Sequence, residues 1–210
     1  MKYVIEHMEE GFSEWVRLEY AQIIKDIGAG NLYLTSLPSQ TTQADIPQEL
    51  LDLGLQWTTK PVNELIDPAT NEPIQSERTC ILYPRADTDL VPEDAQTYEW
   101  LVFGGILGAH PPRDLTLELI KKYGYTGKRL GDKQMSTDTA VRTTNIILER
   151  QTKFEDIKFI DYPEFRFNKS EAVEMPFRYV LDSEGQPILP KGMLALIKKD
   201  SEQSLDDLLA

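Results

Sequence analysis

The residues best placed to do chemistry lie in two glycine-punctuated loops, FGGILGAHPPRD at 103–114 and RLGDKQMSTDTA at 129–140. Each follows a predicted strand and leads into a predicted helix. Glycines let backbone N–H groups approach a ligand closely, helix starts leave donors unpaired, and open α/β sheets bind ligands in the crevice at their strand ends. A GGxxG run alone reads equally well as a ligand-free turn at a sheet edge. Two such loops together predict one cofactor pocket.

A second group is acidic: Glu6, Glu9, Glu10 and Glu14 cluster where the first predicted strand meets the first predicted helix. They either face the crevice or sit in solvent near a helix start, where the dipole favours each by about 0.3–1 kcal/mol. The second reading fits Glu10 and Glu14 best. His7 is either a general base or a hydrogen-bonded structural residue. His110 lies inside the first loop and is placed to shape the pocket. Neither histidine has the neighbours a metal needs, so no metal is predicted.

These residues must be positioned by a β/α alternation. KYVIEH reads as a strand, and Val16, Tyr20, Ile23, Ile24 and Ile27 fall at helical spacing between a Ser13 cap and a terminating Gly28. NLYLTSL reads as a second strand, and Pro47 and Pro61 introduce short helices over IPQELLDLG and PVNELI. Thr70–Ser76 reads as a loop. TCILYP and YEWLVFGG are apolar enough to be strands covered on both faces, which favours a mainly parallel sheet. A helix is predicted over Leu115–Tyr123, then a short basic connector into Leu130. A longer helix follows, capped by Ser136 or Thr137, with Asp138 in its first turn and Ala140, Val141, Thr144, Ile147 and Leu148 as its apolar stripe. Past Arg150, IKFIDYPEFRFN, EMPFRYVLD and GMLALIKKD read as strands between proline turns, and SEQSLDDLLA as an acidic amphipathic helix or a fraying tail.

Composition sets the remaining bounds. A chain of 210 residues suits a single compact domain with an extension. Its one cysteine, Cys80, excludes an internal disulfide and a CxxC metal site, and fits a reducing, cytoplasmic setting. No apolar run approaches the roughly 20 residues that span a bilayer, so no membrane partner is expected. A net charge of −13 repels polyphosphate and favours basic partners. Stable nucleic-acid binding is therefore not expected; KKYGYTGKR, with Tyr123 and Tyr125, is the one stretch where RNA could touch. Trp15, Trp57 and Trp100 are assigned to core packing.

The strand ending LYPRA, the strand ending GGILG, and LGDKQMSTDTA opening a helix together resemble the three cofactor loops of the SPOUT methyltransferases in order and spacing. HMEEGFSEW, FGGILGAHPPRD and MPFRY are similar to a small branch of that class, over nearly the whole chain. Its fungal member is a protein arginine methyltransferase acting on a small-subunit ribosomal protein; its archaeal relatives were assigned to RNA by analogy.

The resemblance implies an α/β-knot fold: a mainly parallel sheet with helices on both faces, a C-terminal trefoil knot, and a β-rich accessory segment. Residues 1–155 would form the methyltransferase domain, with the cofactor site near 80–140, and residues 156–210 would pack on it. S-adenosylmethionine is the implied cofactor. Gly104, Gly105 and Gly108 would allow close approach, Leu107 and Leu130 would sandwich the adenine, and backbone around Gly131, Gln134 and Met135 would read its edge. Leu82, Tyr83, Pro84, Ile106, His110 and Pro111 would line the pocket. Arg113 either reaches the cofactor carboxylate or pairs with Asp114, while Thr137, Thr139 and Ala140 belong to the signature that opens the long helix.

Methylating an arginine requires acids that orient its guanidinium and accept a proton. Glu6 and Glu9, with His7, are the expected catalytic set. The implied substrate is a basic ribosomal protein, with an RNA base methyltransferase as the alternative; the expected state is a monomer, with the accessory segment covering the surface others use for pairing, and a dimer is the alternative.

Overall fold

The computed structural model describes residues 1–7, 9–104, 121–168 and 171–209, the side chains of 202–209 excepted. β1 (Lys2–Glu6), β2 (Leu32–Thr35) and β3 (Gln56–Trp57) come first, followed by a short antiparallel pair, β4 (Ile66–Asp67) and β5 (Glu72–Pro73). β6 (Thr79–Leu82), β7 (Trp100–Gly104) and β8 (Thr126–Lys128) complete a six-stranded sheet of order β3-β2-β1-β7-β6-β8. Every pairing in that sheet is parallel. The loops after β6, β7 and β8 therefore leave from one edge.

Alternation along the strands divides two cores. Tyr3, Ile5, Cys80, Leu82, Leu101 and Phe103 face one side, where α1 (Glu14–Ile27) and, later in the chain, a long helix at Thr137–Leu148 pack. Val4, Ile81, Trp100 and Val102 face the other, against Val62, Leu65, Ile74 and Tyr125. Burial on both sides is why ILY and LVF carry no polar alternation. Ser13 caps α1, its hydroxyl accepting from Val16 N at 3.3 Å, and Gly28 ends it at φ 90°. Cys80 is fully enclosed, and burial pushes its thiol up to about 12.

Several local readings change. The basic connector before Leu130 is β8, an edge strand held on β6 with Tyr83 N donating to Lys128 O at 2.8 Å. Pro47 does introduce a helix, α2 (Gln48–Asp52), but Pro61 introduces only a 3₁₀ turn at Val62–Glu64. The expected loop at 70–76 contains β5. The predicted helix at 115–123 lies outside the described residues except for 121–123, which are helical.

The long helix, α3 (Thr137–Leu148), is enclosed on nearly every side. Its expected stripe is buried except for a half-buried Ala140, yet so are Asp138, Arg142 and Asn145. Two of these have partners within the fold: Asn145 Nδ2 donates to Tyr3 OH at 3.1 Å and Arg142 Nη2 meets Asp26 Oδ2 at 2.5 Å.

Beyond Arg150, β9 (Phe159–Asp161), β10 (Glu164–Arg166), β11 (Ala172–Glu174) and β12 (Arg178–Val180) form two antiparallel pairs, β10 with β11 and β9 with β12. GMLALIKKD is not a strand. Met193, Leu196 and Ile197 recur at i, i+3 and i+4, and the segment folds as α4 (Met193–Leu209). No described helix is long and apolar enough to cross a membrane.

Met175, Tyr179, Met193, Leu196 and Ile197 form a third apolar cluster that closes on Trp15 and Leu18 of α1. Segment 156–210 thus buries part of α1 as well as its own residues. A chain ending at Glu155 should lose at least about 10 °C in thermal midpoint, since each kcal/mol is about 2–4 °C at this size. Circular dichroism melting would check this; an unchanged midpoint would show the segment to be dispensable for folding.

Candidate functional site

The second glycine loop is fixed at both ends and open in the middle. At its entry Arg129 pairs with the β6–β7 connection: Arg129 N donates to Thr88 O and Leu90 N to Arg129 O, at 3.0 and 2.9 Å. At its exit Arg178 N, at the start of β12, donates to Gln134 O at 2.9 Å, and Met135 bridges Arg178 in parallel. Thr143 Oγ1 donates to Met135 Sδ at 3.6 Å. None of the backbone N–H groups from Leu130 to Met135 donates to another described residue. Donors without a partner among the described residues, beside the ends of β6, β7 and β8, can serve as a cradle for a polar ligand.

Gly131 makes the loop's turn at φ 71°, and a Cβ there would lie 2.7 Å from the Phe154 ring. Leu130 and Gly131 are half-buried, while Gln134 is exposed. Leu82 ends β6 buried, Tyr83 is half-buried, and Pro84 and Gly104 are exposed at the same sheet edge. These predicted pocket residues therefore do share one rim. Gly105, Ile106, Leu107, Gly108, His110, Pro111 and Arg113 lie outside the described residues.

At the start of α3, Ser136 is the N-cap, but its hydroxyl lies 2.8 Å from both Asp138 Oδ1 and Thr139 Oγ1. Thr139 is fully enclosed, its hydroxyl engaged with Ser136 in support of the turn. Thr137 is also buried and Ala140 half-buried on this first turn.

Beside that turn lies a buried acid pair that the sequence reading did not assign. Glu19 of α1 and Asp138 are each 1% exposed and hydrogen-bonded to one another. Burial, then the Asp138 charge, pushes the Glu19 carboxyl up to about 9, and burial raises Asp138 too. Glu19 Oε1, Asp138 Oδ2, Arg142 Nη1 and Trp15 Nε1 are buried without a hydrogen-bond partner. Trp15 adjoins Glu19, yet its N–H closes no bond by geometry. Arg142 Nη1 is 3.6 Å from Asp138 Oδ2. Tyr179, on β12, is raised by burial and feels both acids. A signal for Glu19 existed: it occupies a core-facing position between Val16 and Ile23 on α1.

The expected catalytic residues separate. Glu6 is buried on the opposite face of the sheet, its Oε1 accepting Val62 N at 2.8 Å, so it ties β1 to the turn after Pro61. His7 is 1% exposed with both ring nitrogens engaged, Nε2 donating to Gly11 O and Nδ1 accepting from Tyr20 OH, each at 2.9 Å. Burial lowers its pKa, and both ring nitrogens already hold hydrogen bonds within the fold. His7 therefore ties Gly11 and Tyr20 together, a structural role beside the base role expected of it. Glu9 is half-buried, and its charge acts on His7, Glu19 and Tyr20. Glu10 and Glu14 are exposed. In the basic stretch, Lys128 is paired with Asp94 at 3.3 Å and Arg129 with Asp89 at 2.5 Å.

A parallel sheet whose last strands converge on an open-backbone loop, with an acid pair alongside, defines an α/β protein of the ligand-binding kind. The family described as Protein arginine N-methyltransferase SFM1-like matches residues 2–204, and the chain belongs to it. It is 64% identical to Protein arginine N-methyltransferase SFM1 of Saccharomyces cerevisiae, over 100% of both chains. The crystal structure of the yeast arginine methyltransferase SFM1 complexed with SAM superposes with a TM-score of 0.89 at 63% identity, covering 96% of this chain and 91% of that one. The SAH complex gives 0.87 at 62%, covering 93% and 94%.

Two outcomes follow from this geometry. Gly131→Ala should destabilise the protein by about 1–3 kcal/mol, from positive φ and the Phe154 contact together. Denaturant unfolding would measure it, and an unchanged midpoint would contradict the packing. Glu19 keeps its proton in the fold up to about pH 9, whereas unfolding releases it near 4.5. More protons are bound folded than unfolded across that interval, so stability should fall as pH rises from about 5 to 9. Glu19→Gln should flatten the decline in urea midpoints; parallel profiles for the two proteins would contradict it.

Proposed function

We propose that the chain transfers a methyl group from S-adenosylmethionine to an arginine side chain of a small-subunit ribosomal protein, acting in the cytoplasm as a monomer. Full-length membership of the arginine N-methyltransferase family carries the reading. The residues present fit the cofactor: the N–H groups of Leu130–Met135 have no partner among the described residues at the edge where β6, β7 and β8 end, and Gly131 carries no side chain there. Leu130, Gly131, Gln134 and Met135 would hold the adenine, with Leu82, Tyr83, Pro84 and Gly104 on the facing rim. Bound there, the cofactor supplies an electrophilic methyl group.

The trefoil knot belongs to the same reading. Arg129 pairs with Thr88 and Leu90, inside the connection from β6 to β7, where a threaded chain would pass. Residues 1–155 would then carry the catalytic domain and 156–210 an accessory segment that presses Arg178 against the cofactor loop.

The chain's own contribution is orientation and charge. The net charge of −13 attracts a basic protein surface, and two cations of the one candidate RNA stretch are committed to Asp89 and Asp94. Incubation with labelled S-adenosylmethionine should place label in ribosomal protein, recovered after acid hydrolysis as methylarginine, and none in rRNA. Label in RNA alone would overturn the substrate, and label in neither would overturn the activity.

A further inference from the structure

Three stretches that the sequence reading kept apart meet at one point. Trp15 and Glu19 come from the HMEEGFSEW end of α1, Ser136 and Asp138 from the second glycine loop, and Met175 and Tyr179 from MPFRY. Around that point four buried polar atoms lack partners. Unpaired buried polar groups cost about 1–3 kcal/mol each, more when charged, and two of the four, Glu19 Oε1 and Asp138 Oδ2, are acceptors that a donor-bearing occupant would satisfy.

Charge identifies the occupant. Asp26 and Asp138 flank a single guanidinium, Arg142, whose Nη2 is already taken by Asp26, and Glu19 lies against Asp138. Three carboxyls to one cation leave room for a second cation. In its absence, the proton shared by Glu19 and Asp138 relieves the repulsion. The open acceptors, Glu19 Oε1 and Asp138 Oδ2, are oxygens on adjacent carboxyls, and a guanidinium presents N–H donors as a planar fork. Glu9, half-buried and electrostatically linked to Glu19, extends the acids outward.

We propose that Glu19 and Asp138 receive the substrate guanidinium, which enters past Glu9 and Trp15. The inference rests on the arginine methyltransferase reading and names the residues that read its substrate. Both carboxyls are closed to solvent, so entry requires the half-buried Trp15 ring to move aside, where its face then stacks on the cation. The guanidinium takes the place of the shared proton, which leaves to solvent, and both acids become carboxylates. Transfer then forms a nitrogen–methyl bond and breaks the methyl–sulfur bond, its electron pair staying on sulfur. The proton lost from the methylated nitrogen passes to Glu19.

Glu19→Gln is the test variant, since removing a buried acid should leave the fold intact. Methylation of ribosomal protein should fall at least about 100-fold in kcat/KM, as expected for loss of one charge-assisted contact made in the transition state. S-adenosylmethionine affinity by calorimetry should stay within about twofold. Glu9→Gln, nearer the surface, should raise KM for the protein substrate several-fold with kcat retained. Full activity in Glu19→Gln would overturn the proposal and leave the cluster as a buried-water site. Loss of cofactor affinity in step with activity would also overturn it, because the pair would then act through the loop. A wild-type enzyme that methylates no arginine would instead overturn the function on which the proposal rests.

Discussion

The hydrogen bond from Arg178 N to Gln134 O, with the adjoining bridge at Met135, is the contact on which the site depends. Residues 130–135 belong to no helix or strand, and ordering each such residue costs about 1–2 kcal/mol of conformational entropy. They cannot cover that cost with backbone bonds of their own if the N–H groups are to stay open. The loop is instead held at three points: Arg129 on the β6–β7 connection, Gly131 under the Phe154 ring, and Gln134–Met135 on β12. The last of these places Ser136 at the head of α3, and with it the buried Asp138.

The acid pair has the opposite economy. Two carboxyls at 1% exposure are destabilising unless protonated or paired, and Arg142 alone does not pair them. The molecule tolerates the cost because α1, α3 and β12 are independently anchored, α1 and α3 through the sheet core and β12 through the cluster of Met175, Tyr179, Met193, Leu196 and Ile197. Stability is given up where a cation is to be received, as polar groups held without partners at a binding site require.

Much of the architecture was legible. The runs ILY and LVF marked two-face burial and hence a parallel sheet, and Ser13 and Gly28 bracketed α1. The second glycine loop does follow a strand and lead into a helix, as its sequence suggested, while nearly all of the first lies outside the described residues. Three kinds of feature were not legible. Thr126–Lys128 pairs with only one neighbour, so its three residues lack an apolar signal. GMLALIKKD is short enough to fit either period, and only the packing of Met193, Leu196 and Ile197 on α1 decides for a helix. His7 and Glu6 followed each other at a strand end, which suggested one site; the period-two alternation of a strand sends them to opposite faces. Glu19 carried the reverse lesson, since a charge on an apolar helix face looks like noise until Asp138 is brought against it across 119 residues of sequence.

Amide hydrogen exchange tests the central claim most directly, that β12 holds the 130–135 backbone open for the cofactor. In the protein alone, the amides of Leu130–Met135 should exchange fast while that of Arg178 is protected. S-adenosylmethionine should slow the loop amides and leave Arg178 unchanged. Loop amides already protected without ligand, or unaffected by it, would contradict the account, as would an Arg178 amide that exchanges as freely as the loop.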